Sequence, residues 1–342
     1  MEDIKTSLKN ELVKQGWIFG DKWSRIGTPF QCVDEDHTPT LYTVSGIRSL
    51  MQYSSMFYEK YETPKEIVSK NFDKIHLVYK KILSECINDL VPFIDKYNNW
   101  DNYIDSMSLV RAQDYSFIKK YTDLDNDFNH LDFGPGLGSH IVWSIKGFNS
   151  RYFGLDASPY SYSIQRLFFR YLSSRYSDFS KYIDIVECEN FGLSSDVIIN
   201  EIKNKKYKTI QIPSWKSYML DDITFDLVTA TWMLNEINHC GLCWLMSIAS
   251  RGVKNNGYIY IRDSHKLKPG RHNINYDELL KDIGFELVSK LNVINRVDYY
   301  GIPRLYKKIN DSKYTFDELS KKYIGNYSVV VHGGNYVQND TR

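Results

Sequence analysis

Residues 130–140 read HLDFGPGLGSH, a short apolar run that contains an aspartate and leads into three glycines. The glycines stand at every second position, Gly134, Gly136 and Gly138, and His140 follows closely. A strand that ends in a glycine turn and opens into a helix places backbone N–H groups around a bound ligand. The stretch therefore predicts a loop that binds a dinucleotide or the adenosyl part of another cofactor.

The spacing of the glycines separates these two classes of ligand. Dinucleotide-binding folds show G-x-G-x-x-G, whereas this loop shows G-x-G-x-G and has Ser139 in place of the expected third glycine. Asp132 is also out of place for a dinucleotide motif, and it suits the amine-bearing methionine end of S-adenosylmethionine. Asp156 ends the next apolar run, where a carboxylate accepts hydrogen bonds from ribose hydroxyls. The pattern favours S-adenosylmethionine over the cofactor of an NAD(P)-linked oxidoreductase.

Short apolar runs alternate with helical patterns from His130 onward. The runs that follow the glycine loop are 151–156, 208–215, 225–234 and 257–263. This alternation predicts a parallel sheet that is covered by helices on both faces. Only a short turn joins 284–293 to 296–309, so we expect these two runs to pair antiparallel at one edge. The third strand lies either at 183–188 or at 208–215, and the sequence leaves both open.

The chain divides into three predicted parts. Residues 1–125 carry mainly helical periodicity; in 63–90, for example, apolar residues recur at three- and four-residue steps. We predict that 1–125 forms a mainly helical region that supplies a substrate site or a lid. A Rossmann-like domain is expected at 126–310, and a C-terminal extension at 311–342.

Composition bounds the partners of the protein. The 342 residues include 43 Lys and Arg against 42 Asp and Glu, a net charge of +1, which gives no sign of a nucleic-acid partner. The start of the chain lacks the apolar core of a signal peptide, and no apolar run approaches the ~20 residues that cross a membrane. Five scattered cysteines are typical of a reducing compartment. We expect a cytoplasmic protein that neither binds nucleic acid nor inserts into a membrane.

Five segments, taken in order, resemble the class I S-adenosylmethionine-dependent methyltransferases. They are LDFGPGLG (131–138), YFGLDAS (152–158), DDITFDLVTATWMLNEI (221–237), VKNNGYIYIRD (253–263) and GFELVSKLNV (284–293). The resemblance covers about residues 128–308. It implies an α/β fold with a Rossmann-like sheet of seven strands that ends in an antiparallel hairpin. Within this class, LDFGPGLG, ATWMLNEI and the helical N-terminal region are similar to sugar O-methyltransferases of polysaccharide and glycoside pathways.

The resemblance also implies a site for S-adenosylmethionine, whose product is S-adenosylhomocysteine. The methionine part is expected at the glycine loop and the ribose at the end of the second strand. The adenine is expected near 213–215, where an aromatic face can stack on a purine. The cofactor-binding residues are then Asp132, Gly134, Gly136, Gly138, Asp156, Ala157, Ser158, Ser214, Trp215 and Trp232.

Methyl transfer to a hydroxyl is an in-line displacement that benefits from a general base, because a protonated sugar hydroxyl is a poor nucleophile. His265 is the first choice, since it comes just after the fifth-strand segment, and Asp263 is placed to orient its ring. His239 and Glu236, near the start of the helix after the fourth strand, are the alternatives. A plain surface loop at 263–265 is the competing interpretation.

The acceptor is expected to be a small sugar or sugar nucleotide from surface-glycan or natural-product synthesis. Arg111 and Tyr115 precede the first strand, and with Asn235 and His272 they are the predicted substrate-binding residues. A solvated helix face with a buried tyrosine is the competing interpretation for Arg111 and Tyr115. By analogy with other helical N-terminal extensions of this fold, we expect a homodimer.

Other interpretations of the sequence stay open. No metal site is predicted; Mg²⁺ is not favoured, although Glu236, His239, Asp263 and His265 are residue types that bind it, because their spacing matches no dedicated motif. The acceptor atom is alternatively a nitrogen or a phosphoryl-linked oxygen of another small molecule. A cofactor-binding protein without catalytic activity is the alternative from a different class, because a fold does not establish a function.

Overall fold

The computed structural model describes most of the chain from residue 71 onward. The described residues are 71–90, 100–136, 138, 140–157, 159–234, 237, 239–263, 275–291, 301–324, 328–332 and 335–339. The first 70 residues and the predicted site residues Ser158, Asn235, Glu236, His265 and His272 lie outside these ranges.

In the described residues, two helices precede the sheet, and strands then alternate with helices. The first part comprises α1 (Phe72–Leu90), α2 (Trp100–Tyr121), β1 (Asn129–Phe133), α3 (His140–Phe148), β2 (Arg151–Asp156) and α4 (Pro159–Arg175). The middle part comprises β3 (Tyr182–Asp184), α5 (Ile185–Asn190), α6 (Ser195–Lys203), β4 (Thr209–Pro213), a 3₁₀ helix (Ser214–Leu220) and β5 (Phe225–Thr231). The last part comprises α7 (His239–Gly252), β6 (Val253–Asp263), α8 (Tyr276–Asp282), β7 (Phe285–Lys290), β8 (Ile302–Lys308), α9 (Phe316–Ile324), β9 (Ser328–His332) and β10 (Asn335–Asn339).

The strands form one large mixed sheet in the order β3-β4-β2-β1-β5-β6-β8-β7. Neighbouring strands from β3 to β6 are parallel, whereas β8 is antiparallel to both β6 and β7. The predicted α/β fold with an antiparallel pair at its end is therefore confirmed. β9 and β10 form a separate antiparallel hairpin.

The predicted count of seven strands was wrong, because the sheet has eight. The additional strand, β3, pairs parallel with β4, and β4 in turn lies beside β2. Both candidate segments for the third strand thus contain a strand, and 208–215 holds the one next to β2. β3 spans three residues, too few to show a period, because Asp184 immediately caps α5 by accepting from the N–H groups of Val186 and Glu187.

The register brings the carboxyl ends of the central strands to one edge. Phe133 at the end of β1 lies opposite Leu155, and Asp156 at the end of β2 lies opposite Pro213. On the other side of β1, β5 reaches the same level. In open α/β sheets, ligands bind in the crevice at this carboxyl edge.

Helices cover both faces of the sheet, and the described N-terminal helices belong to one of these covers. Residues of α1, α2, α3 and α4 share a core with sheet residues such as Tyr260, while α6, α7, α8 and α9 contribute to the core on the opposite face. Phe117 of α2 lies fully buried, with its ring centroid 5.8 Å from that of Tyr260. The boundary near residue 125 stays a prediction, but α2 and the sheet pack as one hydrophobic unit. No helix in the described ranges is long and apolar enough to cross a membrane.

Replacement of Phe117 by alanine tests whether α2 is part of the core. We expect Phe117→Ala to lower the free energy of unfolding by about 3–5 kcal/mol, because it leaves a cavity against the sheet. Urea unfolding followed by tryptophan fluorescence measures this change. The control is Leu77→Ala on α1, where the side chain is 64% exposed and a change within about 0.5 kcal/mol is expected. Equal effects of the two substitutions would contradict this packing.

Candidate functional site

The glycine loop after β1 is held against the end of β2. Gly134 N donates to Leu155 O at 2.9 Å, and Gly138 N closes the turn onto Pro135 O at 2.9 Å. Gly134, Gly136 and Gly138 have φ angles of 54°, 60° and 74°, in the left-handed region that favours glycine. The sequence prediction of a glycine turn between a strand and a helix is confirmed.

Gly136 and Gly138 differ in what surrounds them. A Cβ atom at Gly138 would lie 2.5 Å from the Phe169 ring, so this glycine allows α4 to pack closely on the loop. Among the described residues, a Cβ atom at Gly136 would meet nothing within 4 Å. The loop is therefore packed on one side and leaves space against its backbone at Gly136.

Asp156 and the segment after β4 lie side by side at the carboxyl edge. Asp156 ends β2, with Ala157 directly after it, and Pro213 of β4 is its register partner. Ser214 and Trp215 follow at the start of the 3₁₀ helix. The Ser214 hydroxyl is buried and has no hydrogen-bond partner among the described residues. A buried hydroxyl of this kind is suited to a ligand.

Gln165, on α4, touches both the glycine loop and Asp156. Its Nε2 donates to Asp156 Oδ2 at 2.6 Å and to Gly136 O at 2.8 Å. The side chain is fully buried. The sequence analysis did not single out this residue, because one glutamine in an aromatic-rich helix shows no pattern.

Asp132 lies on β1 and is directed into the protein. Its Oδ2 accepts from Tyr152 OH at 2.7 Å and faces His140 Nδ1 at 3.0 Å, and its Oδ1 accepts from Thr229 Oγ1 at 2.6 Å. Burial favours the neutral carboxyl, but His140 and the Thr229 hydroxyl lower the pKa of Asp132. Its predicted place beside a cofactor stays a prediction, and the described contacts show it fixing the residues around the loop.

Asp114 ties α2 to the sheet. Its Oδ1 accepts from Tyr260 OH at 2.5 Å and from Arg262 Nε at 2.6 Å, and its Oδ2 accepts from Arg262 Nη2 at 3.0 Å. Arg111, on the same helix, places Nη1 3.1 Å from Asp114 Oδ2 and 3.3 Å from Thr231 Oγ1. Predicted site residue Arg111 is thus buried at the carboxyl edge, where β5 ends.

His140 joins the two carboxylates. Its Nδ1 faces Asp132, while its Nε2 lies 2.8 Å from Arg111 Nη1 and 3.2 Å from Asp114 Oδ2. The two contacts of Nε2 exclude each other, because Nε2 accepts from the Arg111 guanidinium only without a proton and donates to the Asp114 carboxylate only with one. In either state Nδ1 donates to Asp132.

These buried charges balance one another. Arg111 and Arg262 offset Asp114 and Asp132, as buried ionised groups require. Burial favours the neutral acid, but Arg262, His140 and Arg111 hold the pKa of Asp114 well below its usual range. We call Arg111, Asp114, Asp132, His140 and Arg262 the buried charge cluster.

Trp232 has a backbone conformation that is unusual for a bulky residue. It directly follows β5, its φ is 59°, and its N–H donates to Arg262 O at 2.9 Å. The next residue, Met233, packs against Gly134, where a Cβ atom would lie 3.1 Å from Met233 Cβ. Strained positions of this kind gather at functional sites. Because its neighbour Met233 contacts Gly134, the predicted residue Trp232 lies beside the glycine loop.

The remaining predicted residues either are buried or have side chains outside the described part of the structure. Tyr115 is buried in the core, 5.0 Å from the Phe148 ring between centroids, and its role in substrate binding stays a prediction. Asp263 is buried at the end of β6. His239 begins α7, but its side chain is outside the described part. Its role, and those of the undescribed site residues, stay predictions.

The sequence held faint signals for the residues that were missed. Asp114 follows Arg111 by three positions, so both lie on one face of a helix. Arg262 and Tyr260 alternate along an apolar strand and so share a face. Neither pattern shows that the two faces meet, because the contact joins residues far apart in the chain.

No family model matches the sequence, and no curated protein matches it. Several solved structures have weak similarity to this chain. One, described as a sarcosine dimethylglycine methyltransferase from Galdieria sulphuraria, is 11% identical over 60% of this chain and 88% of its own, with a TM-score of 0.42.

Two further structures have ligands bound. Phosphoethanolamine N-methyltransferase 1 of Haemonchus contortus, in complex with phosphoethanolamine and S-adenosylhomocysteine, is 13% identical over 73% of this chain and 54% of its own, with a TM-score of 0.38. Magnesium protoporphyrin IX methyltransferase of Synechocystis PCC 6803, with bound S-adenosylmethionine, is 10% identical over 70% of this chain and 98% of its own, with a TM-score of 0.39. Similarity at this level does not assign the chain to a family.

The buried ring of His130 makes the stability of the protein depend on pH. Burial lowers the pKa of His130 to about 3, from an ordinary value of 6.5, and its Nε2 lies 2.7 Å from Thr229 Oγ1. The unfolded chain therefore binds one more proton than the folded protein between these two values. We expect His130 to contribute a loss of unfolding free energy of up to about 1.4 kcal/mol per pH unit as pH falls below 6.5.

Urea unfolding at pH 7.5, 6.0 and 5.0 measures this contribution. The variant His130→Gln should lose stability at pH 7.5 and show a flatter dependence on pH than the wild type. Thr229→Val removes the hydroxyl partner but keeps the ring, so it should retain the wild-type slope. A wild-type slope in His130→Gln would show that another group carries the effect.

Proposed function

We propose that this protein is an S-adenosylmethionine-dependent methyltransferase. The observation that carries the proposal is the juxtaposition of the glycine loop with Asp156, at the carboxyl ends of the adjacent parallel strands β1 and β2. The G-x-G-x-G spacing of this loop and the carboxylate at the next strand end are the features by which the sequence resembles that class. The strand order, with an antiparallel pair at its end, supports the same proposal.

The described residues fit the cofactor in three respects. The backbone at Gly136 is open, so a ligand can approach it closely. The Asp156 carboxylate suits the two ribose hydroxyls. The buried Ser214 hydroxyl, next to Trp215, suits the polar edge of an adenine, on which an indole can stack.

The methionine part would lie near the buried charge cluster. Arg111 brings a guanidinium and Asp132 a carboxylate to the region between the ends of β1 and β5. An amino-acid end carries both a carboxylate and an ammonium group, so its charges complement these two side chains. In this proposal, the buried charge cluster sets the electrostatic potential around the methionine part, and the glycine loop holds the methionine part in position.

The bound cofactor supplies an electrophilic methyl group on a sulfonium. The protein holds an acceptor oxygen in line with that methyl group and excludes water from it. We propose His265 as the general base that removes the hydroxyl proton, with Asp263, the last residue of β6, placed to orient its ring. His239 and Glu236 remain the alternatives.

We propose a hydroxyl of a sugar or sugar nucleotide as the acceptor, on the basis of the sequence resemblance. Arg111, Tyr115, Asn235 and His272 remain the proposed substrate-binding residues. A nitrogen or phosphoryl-linked oxygen acceptor, and a protein that binds the cofactor without catalysis, would be separated from this proposal by turnover assays.

Calorimetric titration with S-adenosylhomocysteine tests the cofactor proposal. We expect a dissociation constant on the order of micromolar for the wild type, and no binding of NAD⁺ or NADP⁺. Gly136→Ala should weaken binding at least about tenfold, because the added methyl group fills the ligand's space and strains the backbone.

Gly192→Ala is a matched control for Gly136→Ala. Gly192 also has a positive φ, 84°, and an added Cβ atom there would also meet nothing within 4 Å. Both variants should therefore lose a similar free energy of unfolding, about 1–2 kcal/mol, but Gly192→Ala should bind as the wild type does. Absence of S-adenosylhomocysteine binding by folded wild-type protein would overturn the proposed function.

Turnover with a panel of sugar nucleotides tests the acceptor and the base. Mass spectrometry should detect transfer of a labelled methyl group, with and without Mg²⁺. His265→Ala should lower kcat at least about 100-fold, the usual contribution of a general base, while calorimetry shows that the cofactor still binds. An unchanged kcat would exclude His265 as the base and direct attention to His239 and Glu236.

A further inference from the structure

We infer that Gln165 is a positioning residue that couples the glycine loop to the ribose-binding carboxylate. This inference rests on the proposed function and identifies a residue that sets the strength of ribose recognition. Gln165 contacts three of the residues predicted to bind cofactor. Its amide donates to Asp156 and Gly136 O, and its Cγ would lie 3.2 Å from a Cβ atom on Gly138.

The two hydrogen bonds of Gln165 fix groups that come from different strands. Gly136 belongs to the loop after β1, and Asp156 ends β2, so one amide nitrogen sets the distance between them. Both partners of this atom are oxygens that accept a hydrogen bond, so the atom must be the amide nitrogen of Gln165 and not its oxygen. Rotation of the Asp156 carboxylate would break the shorter, 2.6 Å bond.

The amide oxygen of Gln165 indicates that the two hydrogen bonds of Nε2 determine the placement of the side chain. Gln165 Oε1 is buried and has no hydrogen-bond partner among the described residues. It lies 3.8 Å from the position of a Cβ atom on Gly154, in the middle of β2, so it faces the sheet and not the loop. A buried acceptor without a partner is unfavourable. An apolar side chain of the same length would avoid that cost but would lose the two donors.

This arrangement implies a division of roles. Asp156 would accept the ribose hydroxyls, and Gln165 would hold its carboxylate in the orientation that accepts them. Gln165 would also hold the Gly136 carbonyl away from the ligand, so that the loop keeps its backbone conformation. Loss of Gln165 should therefore weaken recognition of the ribose hydroxyls more than recognition of the rest of the cofactor.

The first test compares two ligands on two variants of the full chain. The ligands are S-adenosylhomocysteine and its analogue without the two ribose hydroxyls. Gln165→Met should weaken binding of the former about tenfold, and binding of the analogue less than about twofold. Gln211→Met is the control, because Gln211 is also fully buried and also bonds to α4, through Tyr162 O at 2.6 Å, but contacts neither the loop nor Asp156 in the described hydrogen bonds. It should leave both affinities within about twofold.

A double-mutant cycle shows whether Gln165 acts through Asp156. In the Asp156→Ala background, Gln165→Met should cause clearly less than its tenfold loss, because the carboxylate that it orients is absent. Fully multiplicative losses would overturn the inference. Equal weakening of both ligands by Gln165→Met would also overturn it, since a general distortion of the site does not select the ribose.

Gln165→Glu provides a second variant if Gln165→Met does not fold. Two carboxyl groups at this distance repel each other when both are ionised, so the pair keeps one proton up to a higher pH than a single carboxyl group would. The introduced carboxyl group, when protonated, then donates to Asp156 as the amide does, and the doubly charged pair at high pH repels. Affinity for S-adenosylhomocysteine should therefore rise as pH falls from 8 to 6 in Gln165→Glu, and a profile as flat as that of the wild type would overturn the inference.

Binding of S-adenosylhomocysteine by the wild type distinguishes failure of this inference from failure of the proposed function. If the wild type binds S-adenosylhomocysteine and Gln165→Met binds it equally well, this inference fails and the proposed function stands. If folded wild-type protein does not bind it, the proposed function fails and this inference fails with it.

Discussion

Charge balance in a buried space is the constraint on which the rest of the structure depends. Two guanidinium groups and two carboxylates lie within the protein at the carboxyl edge of the sheet, and none can remain ionised there without its partners. Asp114 of α2 pairs with Arg262 of β6, and His140 of α3 contacts both Asp114 and Asp132 of β1, so these contacts link four elements. Removal of one ionised partner would leave an unpaired buried charge, which is strongly destabilising.

That constraint explains why a helix outside the alternating strand–helix region is part of the site. α2 is attached to the sheet by an apolar contact, Phe117 on Tyr260, and by the ionic contacts of Asp114. The apolar contact supplies most of the stability, since buried ion pairs contribute little net free energy. The ionic contacts instead fix the rotation of the helix, which brings Arg111 to the end of β5.

The absence of side chains in the glycine loop allows close approach to its backbone from two sides. At Gly138 the absence of a side chain admits Phe169 of α4, and at Gly136 it leaves the backbone open. α4 thus supports the loop from behind, and Gln165 on the same helix links it to Asp156. The loop, the next strand end and α4 form one unit, in which each position depends on the other two.

Local rules predicted a large part of this fold. The short apolar runs that alternate with helical patterns placed β1, β2, β4, β5 and β6, and the short turn between 284–293 and 296–309 predicted the antiparallel edge. The run at 183–188 was named only as an alternative to 208–215 for the third strand, because a three-residue strand has no period and is defined only by its pairing with β4. The burial of Tyr115 was left open by the sequence, because an aromatic residue on a helix has the same local pattern whether its face meets a ligand or the core.

The sequence by itself determined the strands of the central sheet, their order and the glycine loop, since these depend on spacing along the chain. Gly134, Gly136, Gly138, Asp132 and Asp156 were proposed as cofactor-binding residues because their pattern lies within residues 132–156. Only the tertiary structure decided that Asp114 meets Arg262, that His140 joins two carboxylates, and that Gln165 connects the loop to Asp156. The physical reason is that these contacts join groups from separate elements, whose approach is set by helix packing and strand register and by no local pattern.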